Sequence, residues 1–241
     1  MSDVLKSELL RSISGLAMLG VSSFVILIPA LMLTMGPPLD GVRELDDGMA
    51  TRMVFGLIAS IGITAMYLGS YSVSREFYYR SMPRTIVIGS LRRVFLAKLL
   101  SSMTTSIGLC VVGVALWAGV TSLALAAYGR HLRLDGAFWG IVAGSIFVAA
   151  AGAVIGASLG WIFRNYYVVS AVVLLLPTMI ELPLLFTVPA VERFFPVGAF
   201  AGVTGAPIEG LLSVGASCAV LLGWAAAVTA LAVVVVQRRE R

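Results

Sequence analysis

Along this chain apolar residues do not alternate with polar ones; they run on in long blocks before a charge interrupts them. Uncharged stretches cover Gly15–Met35, Met53–Val73, Leu99–Ala127, Gly136–Phe163 and Gly210–Val236. Each is long enough for a helix to cross a hydrocarbon core, which takes about 20 residues. A sixth stretch, Tyr166–Val188, carries a single charge, Glu181. The pattern predicts an all-α polytopic membrane protein with six spans in one domain over 1–241. Strands are excluded as the spanning element, because a lipid-facing barrel reads as short segments of alternating polarity.

The segments between the spans carry their own patterns. Ahead of the first, Leu5, Leu9 and Ile13 share one helical face, so an amphipathic helix either lies flat on the membrane or extends the first span into water. Residues 74–98 form a long basic connection after the second span. Between 189 and 209 the chain is too apolar for a free loop. Prolines at 177, 183, 189, 196 and 207 forbid one straight helix there. A short helix or helix pair dipping into the membrane and leaning on the bundle is expected over Pro189–Glu209. In the fourth span Gly140, Gly144, Gly152, Gly156 and Gly160 fall on a spacing of four or its multiples. They clear a stripe for close approach of another helix, of this chain or of a second copy.

Composition agrees: 59% of the residues are hydrophobic and 12% charged, with a mean hydropathy of +1.01. The net charge of +5 is informative mainly through its distribution. With six spans both termini share a side, and that side, with residues 74–98 and Arg164, holds 12 Lys and Arg against 4 acids; the other holds 5 against 7. Positive charge stays in the cytoplasm, so the termini and the basic connection are expected there, and no nucleic-acid partner is implied. The first apolar run lacks a small-x-small cleavage pattern and is expected to remain as a span. Cys110 and Cys218 lie within apolar runs, where packing accounts for them.

Catalytic patterns are missing. Neither Lys6 nor Lys98 closes a phosphate-binding Gly-x-x-x-x-Gly-Lys-Ser/Thr loop, the one histidine, His131, sits in an outer loop, and no span contains aspartate. No metal site is expected, and an enzyme acting within the membrane is argued against. Glu181 is the only ionisable group well inside a span, about 22 Å along its helix from Tyr166. A carboxyl at that depth needs a partner, water or a proton. It is either a pathway or gating residue or a structural carboxyl bonded to the broken helix beside Pro183.

The segment "REFYYRSM", followed by "RRVFLAKLL" running into the third span, resembles the permeases of type-2 ABC transporters, the type V exporter fold. So do "IELPLL" and "FFPVGAFAGVTG" between the fifth and sixth spans. Two departures stand out: Ser81-Met82 replaces the Gly-Thr often found after the acid, and Ser90 replaces a proline before the second basic cluster. The resemblance covers the whole chain. It implies a homodimer in a bacterial cytoplasmic membrane, docked on two copies of a separate ATPase subunit that holds ATP and Mg. It further implies outward movement of an amphipathic or hydrophobic compound such as a peptide antibiotic, drug or lipid. Glu76, Tyr79, Arg80, Pro83, Arg84, Arg92 and Arg93 become the coupling segment, and 189–209 the re-entrant outer hairpin. Two alternatives stay open: a non-transporting scaffold or sensor of the same fold, and an ion-coupled carrier using Glu181.

Overall fold

The computed structural model describes residues 7–11, 16–35 and 39–239. Among these the ordered elements are all helical. In chain order they are α1 (residues 7–11), α2 (Leu16–Met35), α3 (Asp47–Phe55), α4 (Ile61–Tyr78), α5 (Met82–Gly89), α6 (Leu91–Ala127), α7 (Gly136–Phe163), α8 (Tyr166–Leu176), α9 (Leu182–Thr187), α10 (Pro189–Glu192), α11 (Pro196–Val203) and α12 (Val214–Arg239). Five helical stretches are long and apolar enough to cross a membrane: Asp47–Tyr78, Leu91–Ala127, Gly136–Phe163, Tyr166–Thr187 and Val214–Arg238. The chain is a multi-pass membrane protein. Of the amphipathic pattern at the N-terminus, Leu5 and Ile13 lie outside the described residues, as do Glu240 and Arg241 of the tail.

Local chemistry sets the helix starts. Asp46, Asp135 and Asn165 each accept hydrogen bonds from free backbone N–H groups at the N-termini of α3, α7 and α8, the usual work of an N-cap side chain. The connection expected over 74–98 is itself mostly helical. α4 carries on to Tyr78 and α6 begins at Leu91, leaving Tyr79–Ser81, α5 and Ser90 between them. The reason is electrostatic: Glu76 and Lys98, charged residues that should have ended the two spans, neutralise each other inside the bundle.

α4 is the centre of the bundle and α7 is its main partner. Of the most apolar window in Asp47–Tyr78, 89% is buried, against 17% in α12, so α12 is left for lipid or another chain. The α4–α7 seam is where the glycine stripe lies. A Cβ on Gly152 would stand 2.7 Å from Gly62 O, one on Gly156 would collide with Met66 O, and one on Gly160 would meet Val73 Cβ at 2.9 Å. Gly144 opposes α11 instead, 2.9 Å from Val203 O. Gly140 is exposed and a Cβ there meets nothing within 4 Å. Backbones this close gain dispersion contacts, which hold helices together where lipid offers no hydrophobic contrast.

Past α8 the chain winds as a π-turn over Pro177–Glu181, with Leu182 N donating to Pro177 O. This wider winding carries the helix past Pro183 as far as Thr187. The break comes at Val188 (φ −138°, ψ 62°), and a second follows α10 at Phe194–Phe195. α11 then packs under the start of α4, with the Phe200 ring filling the space left by Gly62. α5 sits at the other end of α4, so the two polar clusters described next mark opposite ends of one buried helix.

Candidate functional site

At the α5 end, Lys98 is 1% exposed and anchored in α6. An ammonium has three N–H groups to place, and all three find oxygen: Glu8 Oε2 at 2.5 Å, Ser72 O at 3.1 Å, and Glu76 Oε1. Glu8 comes from α1, Ser72 and Glu76 from α4, so one cation pins three elements. Both carboxyls are buried. Arg11 Nη1, half exposed, completes the set at 3.3 Å from Glu8 Oε1 and 3.6 Å from Glu76 Oε1. Two positive and two negative side chains therefore close on each other. Arg75 Nη2 donates to Arg11 O at 2.5 Å, tying α1 to α4 a second time.

The cluster reaches α5 through Glu76. Its Oε2 accepts from Thr85 Oγ1 at 3.3 Å, and its backbone O accepts from Ser81 N at 2.9 Å. Arg80 turns the chain at φ 55° and Ser90 returns it at φ 57° with ψ 147°, a region that favours glycine. Met82 is buried and roots α5 in the bundle, while Arg80, Pro83, Arg84 and Val87 face outward, Val87 at 86% exposure. Tyr79 is 72% exposed. Arg92 and Arg93, in the first turn of α6, are exposed as well. Of the seven residues assigned to coupling, Glu76 alone is inside; the other six are on the surface. Glu8, Arg11 and Lys98 were missed as site residues. The signal available was Lys98, one of only two lysines in the chain, placed between Ala97 and the apolar run that starts at Leu99.

At the opposite end Glu181 closes the π-turn and is buried. Its Oε2 accepts from Val197 N at 2.9 Å, at the start of α11. Glu192, fully buried at the end of α10, accepts from Gly198 N at 3.3 Å through Oε1. The Glu181 carboxyl lies near enough for its charge to act on Glu192. Glu192 Oε2 is buried and has no hydrogen-bond partner, a setting that disfavours the charged carboxylate. Burial first, then the Glu181 charge, pushes Glu192 up to about 8. Glu181 thus bonds the start of α11 rather than the helix around Pro183. Glu192 was also missed, although it follows Pro189 closely in an apolar run.

Aromatic residues line the flank between the ends of α4 and α8. The Tyr67 and Tyr166 hydroxyls are 3.2 Å apart, and Tyr167 OH donates to Tyr78 OH at 3.4 Å. Among the described residues no three His, Cys, Asp or Glu side chains gather to hold a metal. No protein-family model matches the chain, and no curated protein sequence matches it.

Proposed function

We propose that the chain is the membrane subunit of an ATP-driven exporter and works as a homodimer on two copies of a separate ATPase subunit. α2 serves as the sixth span, both termini lie on the cytoplasmic side, and the α10–α11 hairpin dips into the outer leaflet. The observation that carries this reading is the build of the α5 end. A short helix offers Tyr79, Arg80, Pro83, Arg84 and Val87 outward, while its root is tied through Glu76 and Lys98 to α1, α4 and α6. A partner pressing on α5 would move three elements together. The resemblance in "REFYYRSM" and "RRVFLAKLL" supplies the kind of partner: a nucleotide-driven motor, which this chain lacks. The cargo is an amphipathic or hydrophobic compound.

The test is co-expression with candidate P-loop ATPases, followed by purification and an ATP hydrolysis assay. A stable complex whose hydrolysis needs both subunits is expected. Charge reversal of exposed groups, R80E with R84E, should abolish docking while the thermal unfolding temperature stays where it was. Docking that survives the reversal overturns the placement of the socket, and failure of every ATPase to bind overturns the reading. The buried Glu181–Glu192 pair favours a second reading, a proton-coupled carrier. That reading requires transport driven by a proton gradient without ATP.

A further inference from the structure

Between the end of α2, α3, α9 and α11 lies a cavity of about 480 Å³, within the range of roughly 300–1,000 Å³ usual for small-molecule sites. Its walls are Met32, Leu45, Met53, Leu57, Leu185 and Phe186 with a few further apolar residues, and it contains a single charge, Arg52. Gly56 is buried and lines the cavity, yet a Cβ built on it meets no atom within 4 Å.

Arg52 also lines the adjoining polar pocket with Asp46, Arg133 and Asp135. The charges around it are already committed. Asp46 accepts from Gly48 N, Asp135 accepts from Ala137 N and Phe138 N, and Arg133 lies 3.7 Å from Asp135. The Arg52 side chain, on an exposed residue, makes no ion pair or hydrogen bond among the described residues, although its field reaches Asp135. A cation with unused donors at the lip of a hydrocarbon-lined chamber is complementary to one chemistry: a long apolar tail ending in an anion.

We propose that this cavity binds a single-tailed anionic amphiphile, a long-chain carboxylate, with the tail among the methionines and leucines and the carboxylate on Arg52. The assignment deepens the export reading by naming a cargo class, and its test needs no ATPase, so either can fail without the other.

The full-length protein in phosphatidylcholine nanodiscs is labelled with a photoreactive palmitate, and the labelled peptides are located by mass spectrometry. Saturable labelling around Met49, Met53 and Leu185 is expected, displaced by unlabelled palmitate and not by hexadecanol. R52Q should weaken binding about tenfold, the loss of one charge-assisted contact. G56L, at a backbone angle any residue tolerates (φ −58°, ψ −20°), should fill the chamber and block labelling without lowering the unfolding temperature. Displacement by hexadecanol and palmitate alike, or R52Q labelling as well as the parent, would assign the cavity to neutral lipid and overturn the proposal. Labels scattered along α12 would overturn it too.

Discussion

The two ends of α4 solve the same problem in opposite ways. At the α5 end two buried carboxylates are held by a buried ammonium and a half-exposed guanidinium, so the charges cancel and the ammonium's three donors are filled. At the α11 end two buried carboxyls face each other with only backbone N–H groups for support, and a proton has to replace the missing cation. The first arrangement is strong and insensitive to solvent, because breaking it leaves bare charge inside. The second can be tuned by a proton, because its neutrality depends on one. A rigid root beneath α5 and an adjustable tether on the hairpin would suit the exporter proposed above.

The largest effect should come from removing the cation. Lys98→Met leaves Glu8 and Glu76 buried with only the half-exposed Arg11 against two carboxylates, at a cost of about 3–5 kcal/mol, visible as a large fall in thermal unfolding temperature or in yield of folded protein. Adding Glu8→Gln and Glu76→Gln to the same chain should recover most of the loss, since no buried charge then remains. If the triple variant is no better than the single, packing rather than charge explains the root.

The tether predicts a pH dependence of a definite sign. Glu192 is held up to about 8 against an ordinary 4.5. The closed hairpin therefore keeps a proton that the open one releases, and closure weakens as pH climbs from 4.5 to about 8 and is level beyond. Amide protection factors at Val197 and Gly198, corrected for intrinsic exchange, should fall over that window. Glu192→Gln, which cannot ionise, should flatten the profile and make closure at neutral pH firmer than in the parent, because it has no proton to lose on opening. Glu181→Gln should keep the fold and alter transport; unchanged transport at equal expression would confine Glu181 to a structural role.

The smallest effect belongs to Arg11. Its side chain is half exposed, so water already screens it, and Arg11→Gln should cost only about 0–1 kcal/mol. A much larger loss would mean that Arg11 is less screened than its exposure implies and that Lys98 alone does not neutralise the two carboxylates, and the contrast between the two ends would narrow.

Much of this was legible along the chain. Glu181 stood out as the one ionisable group deep in an apolar run, and the bend after it was written in the prolines. Four of the five stripe glycines meet a neighbouring helix at close range, three of them α4, while Gly140 sits beyond the seam in open space. Tyr79, Arg80 and Arg84 were readable as a surface because a basic, aromatic connection has nowhere else to go. The partners were not readable. Glu8 and Lys98 are 90 residues apart, and nothing in either neighbourhood names the other. Glu192 reads as an ordinary loop acid until α11 turns back beneath it.

What the residue order determines without help is which segments leave water, because the free energy of moving a 20-residue apolar run into hydrocarbon is close to a sum over its own side chains. Which charges meet is a different matter. Glu76 pairs with Lys98 rather than with a closer arginine, and Glu181 confronts another acid rather than a base, because helix packing fixed the path of the backbone first. The side chains then met whatever that path brought within reach. That choice belongs to the glycine-cleared seam between α4 and α7 and to the fold-back of α11, and only the assembled bundle contains it.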